Sequence, residues 1–297
     1  MKIGLSAMFG NTPYRDMAFV KSYAATAESL GFNSLWAPEH IVFFGSYDSA
    51  YPYKSGGNTP WTENKDPALY DPLFVIAAAA GVTSTLRFGT TVLVTPLRPA
   101  LLMAKELMSL DHLSNGRFEF GAGLGWSEEE YNALGASWEK RGKRFDEYLE
   151  AIKVAWTEDR ASYHGEFVNF DDVILKPFPV TPGGPPILIG GNSAAAIKRA
   201  ARLADGWYGV WMGFDELEPK MAEIHECLEQ YGRSAGEDFV LKLNFPIGPQ
   251  ADIEDVLYKV SECRRLGIEE FVLELPIRSR HLEEDLRYWA QLLEVGE

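Results

Sequence analysis

Cysteine is almost missing from this chain. Cys227 and Cys263 are the whole supply in 297 residues, and both fall inside helical patterns, which argues against a disulfide framework. Histidine is nearly as sparse. Among His40, His112, His164, His225 and His281 there is no His-x-His and no His-Glu-x-x-His, so neither a catalytic zinc nor a binuclear metal site is expected. No Gly-x-Ser-x-Gly elbow offers a serine nucleophile. Long hydrophobic runs are absent too: Pro72–Val82 is the longest candidate, falls short of the ~18 residues that span a bilayer, and reads as a buried helix. The N-terminal MKIGLSAMF is too short and too strand-like for a signal peptide, and a cytoplasmic location is expected. Positive charge is in deficit, with a net charge of −15. That argues against nucleic acid or an anionic membrane as a partner of the general surface. A local anion site would need backbone N–H groups or a few placed arginines and lysines.

What the chain does have is alternation. Lys2–Ala7, Asn33–Ala37, Leu86–Val94, Arg117–Ala122, Pro186–Ile189, Gly206–Trp211, Phe239–Ile247 and Glu270–Leu275 read as eight strands. Helical patterns separate them, at Pro13–Leu30, from Asp71-Pro72 to Ser84, at Ala100–Leu113, Lys140–Thr157, from Ser193 to Leu203, and at Phe214–Tyr231 and Ile253–Leu266. Leu282–Glu294 closes the chain as a helix. Strict strand–helix alternation implies parallel strands joined by right-handed crossovers. Eight such units over this length predict a closed (β/α)8 barrel, and with no linker or composition shift the whole of 1–297 is expected to be one domain. Two segments interrupt the rhythm. Ile41–Pro67, after the second strand, is long, aperiodic and rich in Gly, Pro, Ser, Tyr and Trp, as a lid would be. Ala161–Pro186, before the fifth strand, is an irregular excursion with a short hairpin around Tyr163-His164-Gly165.

The stretch Gly116–Trp126, GRFEFGAGLGW, stands out. Gly121, Gly123 and Gly125 strip side chains from the end of a strand, and bare backbone there would let a flat ligand lie against it. The dinucleotide fingerprint G-x-G-x-x-G does not fit, because its last glycine would fall on Trp126. In a (β/α)8 barrel the site lies at the C-terminal strand ends. Those ends are Ala7-Met8, Glu39-His40, Val94-Thr95, Leu124-Gly125-Trp126, Gly190-Gly191-Asn192, Trp211, Asn244 and Leu275-Pro276. His40 is the leading candidate for proton transfer, with Glu39 beside it as a carboxylate able to tune it; the plainer alternative is a histidine that pins the loop. Gly190-Gly191-Asn192-Ser193 differs in kind. Glycines followed by a serine that can cap a helix expose N–H groups to an anion or phosphate, though an ordinary strand–turn–helix connection reads the same way.

Taken together, the motifs resemble the bacterial luciferase-like monooxygenase family, in particular its branch of deazaflavin (coenzyme F420)-dependent oxidoreductases. The resemblance runs over nearly the whole chain. It rests on the N-terminal strand, Trp36-Ala37-Pro38-Glu39-His40, Gly89–Pro96 (GTTVLVTP), Glu106–Trp126 (ELMSLDHLSNGRFEFGAGLGW), Tyr163-His164-Gly165, Pro185–Asn192 (PPILIGGN) and Ala204-Asp205-Gly206-Trp207. It implies a flavin or deazaflavin, coenzyme F420 first and FMN second, bound at the strand ends of a barrel that forms a homodimer. It implies a non-proline cis peptide in the third strand, by position Thr91–Val92, and cofactor contacts from Thr91, Val92, Val94, Leu124 and Gly125. The family's phosphate site maps onto Gly190, Gly191, Asn192 and Ser193, and its catalytic pair onto Glu39 and His40. A glutamate that follows the fourth-strand glycine in the branch's sugar-phosphate dehydrogenases is Trp126 here, a departure from that substrate pattern. The activity implied is hydride transfer to or from a small organic substrate under the Ile41–Pro67 loop, against Trp61, Trp126 and Trp211. The alternatives are FMN-dependent monooxygenation and a binding barrel without catalysis.

Overall fold

The computed structural model describes residues 1–10, 16–53 and 67–296. Three short strands begin it: β1 (Lys2–Ser6), β2 (Ser34–Ala37) and β3 (Arg87–Thr90). Between them lie helices α1 (Met17–Ser29) and α2 (Pro72–Ala80), capped by Asp16 and Asp71, whose side chains accept the N–H groups of Ala18 and Leu73. After β3 come the two-residue β4 (Leu93–Val94), α3 (Ala100–Ser114), β5 (Phe118–Gly123), α4 (Glu128–Ala133) and α5 (Arg141–Thr157). An antiparallel hairpin of β6 (Ala161–His164) and β7 (Asn169–Val173) fills the expected excursion. Alternation then resumes with β8 (Ile187–Gly190), α6 (Ala194–Leu203), β9 (Gly206–Val210), α7 (Phe214–Glu229), β10 (Val240–Pro246), α8 (Ile253–Arg265), β11 (Glu270–Glu274) and α9 (Leu282–Leu292).

Eight of these strands pair in parallel in the order β1-β2-β3-β5-β8-β9-β10-β11, and β11 returns to β1. The barrel is closed, as the alternation predicts. The seam between β3 and β5 aligns Phe88 with Phe118, and that between β1 and β11 aligns Ile3 with Phe271. Period-two alternation sends Leu5, Leu35, Phe88, Phe118, Phe120 and Phe271 into the shell between barrel and helices, where all are buried. The predicted stripe of α5, Phe145, Leu149, Ile152 and Trp156, is buried in the same shell.

The barrel interior is filled from below. Lys242 bridges Glu119 and Glu270 at 2.6 Å each, Arg87 reaches Glu119 at 2.8 Å, and Asn33 and Ser34 donate to Glu270 at 2.6 Å. Each buried charge there has a partner, which such burial demands. Above this lies an apolar layer of Trp36, Leu188, Tyr208 and Val272. What remains open is the space above it, at the C-terminal strand ends.

The expected single strand Leu86–Val94 is broken into β3 and β4 by a cis peptide bond at Thr91–Val92, the position the resemblance implied. Of the expected helix from Pro13, the described part starts at Met17. Of the expected lid, residues 41–53 are described as irregular chain, and Trp61 lies outside the described residues. Among the described residues no helix is long and apolar enough to cross a membrane.

Candidate active site

A cavity of about 1250 Å³ occupies the C-terminal mouth. Apart from Trp61, every residue given a catalytic, cofactor or substrate role in the sequence lines it: Glu39, His40, Thr91, Val92 and Val94, Leu124, Gly125 and Trp126, Gly190 through Ser193, and Trp211. The structure brings them together in roles that differ from the expected ones in three places.

The first concerns the partner of His40. Its Nδ1 lies 3.1 Å from Glu130 Oε2, a buried carboxylate in the first turn of α4. A carboxylate only accepts, so this contact sets the proton on Nδ1 and turns Nε2 into the atom that gains or loses one. Glu130 Oε1 also accepts the N–H groups of Ile41 at 2.7 Å and Val42 at 3.3 Å, while neighbouring Glu129 accepts those of Asp48 and Ser49 at 2.6 and 2.8 Å. Two consecutive carboxylates of α4 thereby hold the loop that follows β2. Glu39 does something else. Its Oε2 accepts the Val94 N–H at 2.7 Å and its Oε1 pairs with Arg98 at 2.6 Å. Burial raises the Glu39 carboxyl to about 7, against the opposing pull of Arg98. Successive side chains of extended chain point to opposite sides, so neighbours in sequence part company here. Glu39 positions β4, and the carboxylate in contact with His40 is that of Glu130.

The second concerns the glycines. A Cβ at Gly121 would lie 1.7 Å from the Thr90 carbonyl oxygen, and one at Gly123 would lie 2.3 Å from Val92 Cγ2. A Cβ at Gly190 would meet Val92 Cγ1 at 2.5 Å. These glycines make room for β3 and for the Val92 side chain; the bare backbone is covered by Val92 and not left for a flat ligand. Val92 is therefore the floor piece, wedged between β5 and β8. Gly125 is the exception of the set, with φ +67° at the cavity wall.

The third concerns how the turn at Asn192 is held. Its side-chain amide is spent on β9, donating to the Val210 carbonyl at 2.6 Å and accepting the Val210 N–H at 3.1 Å. Ser193 caps α6 as expected, accepting the Ala196 N–H at 3.2 Å. The groups here that could meet an anion are the start of α6 and one of two cavity arginines that sequence reasoning passed over. Arg141 and Arg199 line the cavity, and Arg141 lies over the Trp138 ring at 3.5 Å with its buried Nε left unpartnered by the described residues. Arg199 is committed to Asp146 and to the Gly142 carbonyl.

The wall nearest His40 is aromatic. Trp126 meets His40 edge-on with centroids 5.8 Å apart; from the loop after β2, Tyr47 lies tilted against Trp126 at 4.9 Å and Tyr51 meets it edge-on at 5.2 Å. Tyr51 also reaches Trp211 at 6.4 Å. Trp211 holds φ +45°, a region a bulky residue seldom adopts, with its indole N–H 2.8 Å from Asn244 Oδ1 and 3.1 Å from Glu274 Oε1. Burial pushes the Glu274 carboxyl up to about 7, with the Trp211 hydrogen bond pulling the other way. Glu274 closes β11 and was not anticipated. The remaining histidines whose partners are defined lie elsewhere: His112 contacts the Phe178 carbonyl, His164 pairs with Asp171 and His281 with Glu284.

Comparison with known proteins places this arrangement. The family described as luciferase-like monooxygenase matches residues 1–291, and the chain belongs to it. An uncharacterized protein of Mycobacterium tuberculosis is 37% identical over 221 residues, covering 74% of this chain and 75% of that one. The FMNH(2)-dependent dimethylsulfone monooxygenase of Pseudomonas putida is 35% identical over 218 residues, covering 70% of this chain and 54% of the other. Among solved structures, the coenzyme F420-dependent tetrahydromethanopterin reductase of Methanopyrus kandleri superposes with a TM-score of 0.75 over 98% of this chain and 97% of its own, at 16% identity, a likeness of fold.

Proposed function

We propose that this member of the luciferase-like family is an oxidoreductase that binds the deazaflavin coenzyme F420 at the barrel mouth and exchanges a hydride between it and a small organic substrate. The observation that carries the reading is His40: it faces the cavity with Nδ1 held by a buried carboxylate, so the proton that accompanies the hydride is handled at Nε2. The coenzyme, when bound, supplies a ring that accepts or donates two electrons as hydride and lacks the nitrogen used for oxygen activation.

The chain's own residues fit such a group. Val92, Leu124 and Gly125 offer an apolar floor and edge for a ring, and the first turn of α6 with the unpartnered Arg141 Nε suits a phosphate. Trp126, Tyr47 and Tyr51 would shut water away from a substrate carbon beside His40. Exposed Phe74 on α2 and exposed Leu102 and Leu113 on the adjoining α3 support a homodimer through these helices. A second reading, FMN-dependent monooxygenation, is favoured by the 35% identity to the Pseudomonas putida enzyme.

Titration of the purified protein with FMN and with the deazaflavin coenzyme, each oxidised and reduced, separates the two. Binding of neither refutes the proposal, and tight FMN binding with oxygen consumption selects the second reading. His40→Ala is expected to keep coenzyme affinity and slow turnover about 100-fold or more, the usual range for a lost acid–base group. Unchanged turnover would remove its role.

A further inference from the structure

The function proposed above draws its proton chemistry from His40, after β2. A second acid faces the same cavity two strands round the barrel, at the end of β11, and that reading gives it no task. Glu274 Oε1 accepts the Trp211 indole N–H, which is shared with Asn244. Among the described residues Oε2 has no hydrogen-bond partner and no lysine or arginine pairs with the carboxyl. The titratable side chains that face it are Tyr51, from the loop after β2, and Tyr208 of β9, whose phenols burial raises first and neighbouring acids, Glu274 included, raise further. Lys242, Glu119 and Glu270 lie below the apolar layer and satisfy one another.

A carboxyl enclosed by rings and without a counter-ion costs least as the neutral acid. With Oε1 already accepting, the neutral acid has one O–H to give, and it is directed from Oε2. An ammonium ion would force Glu274 to ionise among the surrounding rings, and a carboxylate or phosphate would leave water with no lysine or arginine among the described residues paired at this carboxyl to receive its charge.

We propose that Glu274 is a specificity-determining hydrogen-bond donor that reads a carbonyl or hydroxyl oxygen of the substrate. The substrate class is then an uncharged oxygenated organic molecule, in preference to an amine or a carboxylate. This rests on the reading of the cavity as the substrate site of an oxidoreductase.

The test uses the full chain, with cyclohexanone as the neutral probe and cyclohexylamine as the cationic one, followed through tryptophan fluorescence. Wild type, Glu274→Gln and Glu274→Leu are compared, and coenzyme titrations are run on the same samples. Cyclohexanone is expected to bind wild type and Glu274→Gln within about twofold, since an amide also donates, and Glu274→Leu about tenfold or more weakly. In wild type its affinity falls as pH rises through about 7, while in Glu274→Gln it is flat. Infrared spectra should show a protonated carboxylic-acid band at neutral pH that Glu274→Gln lacks. Ketone affinity indifferent to Glu274→Leu, or preferential binding of cyclohexylammonium that Glu274→Gln abolishes, overturns the inference. If wild type binds neither coenzyme while the ketone dependence on Glu274 persists, the oxidoreductase reading fails and Glu274 as an oxygen reader stands.

Discussion

Val92 should be coupled energetically to the glycine that faces it across the cavity floor, and the coupling can be measured without knowing the substrate. A Cβ added at Gly190 would sit 2.5 Å from Val92 Cγ1, inside any tolerable contact, but 3.5 Å from Val92 Cβ, an ordinary one. Gly190 does not hold a positive φ, so alanine is acceptable there on backbone grounds. Gly190→Ala in the wild-type protein is therefore an overpacking change and is expected to cost about 1–3 kcal/mol. In a Val92→Ala background the offending methyl is gone, the new Cβ partly fills the space it left, and the cost should fall close to zero. The double-mutant cycle then gives a coupling of about 1–3 kcal/mol. At Gly123 the relief is smaller, because a Cβ there still lies 3.3 Å from Val92 Cβ after truncation. Urea denaturation followed by tryptophan fluorescence, on the four proteins of each cycle, measures these differences directly. A Gly190→Ala cost that is the same in both backgrounds, within about 0.5 kcal/mol, would refute the wedge.

Three further outcomes are expected. Glu130→Gln should lower kcat about tenfold or more and displace the pH profile while coenzyme affinity stays near wild type, because an amide cannot hold Nδ1–H of His40 as a carboxylate does; steady-state kinetics across pH would show this. Glu28 answers to acid: burial pushes its carboxyl up, but the N–H groups of Thr85, Leu86 and Ser84 outweigh that and hold it at about 2. A carboxyl depressed in the folded state stabilises above its ordinary value of 4.5 and loses that contribution as pH falls toward about 2, so Glu28→Gln should flatten the acid limb of a thermal-stability curve; an unchanged limb would count against it. Replacing Phe74, 73% exposed on α2, with glutamate should shift the protein toward monomer in sedimentation without unfolding it; monomeric wild type would contradict the proposed dimer.

The barrel was legible because each unit pairs an apolar strand with a helix that has one buried face, and several of those helices open on a serine or aspartate cap such as Ser193 or Asp252. Motif position alone gathered the cavity's lining. What stayed hidden depends on contacts distant in sequence. Leu86–Val94 is a run of good strand formers, and nothing local says that it breaks where Val92 seats itself against residues of β5 and β8. Glu39 adjoins His40 in sequence, yet the carboxylate that holds the ring stands 90 positions away. The signal for Glu130 was present in Ser127-Glu128-Glu129-Glu130, a capping box whose glutamate turned out to serve the neighbouring loop. Asn192 drew notice for its main-chain N–H at the start of α6, and only the fold reveals that its side-chain amide ties this turn to β9. Arg141 and Glu274 carried no signal beyond their charge.

The grip of α4 on the loop after β2 has a consequence for how this site diversifies. Glu129 and Glu130 hold Ile41, Val42, Asp48 and Ser49 through main-chain N–H groups, which every residue except proline possesses. The fastening thus recognises the chain's path and is blind to its letters. Side chains between the anchor points can be exchanged, and the contents of the aromatic wall rewritten, while the loop stays moored to the helix that orients the histidine.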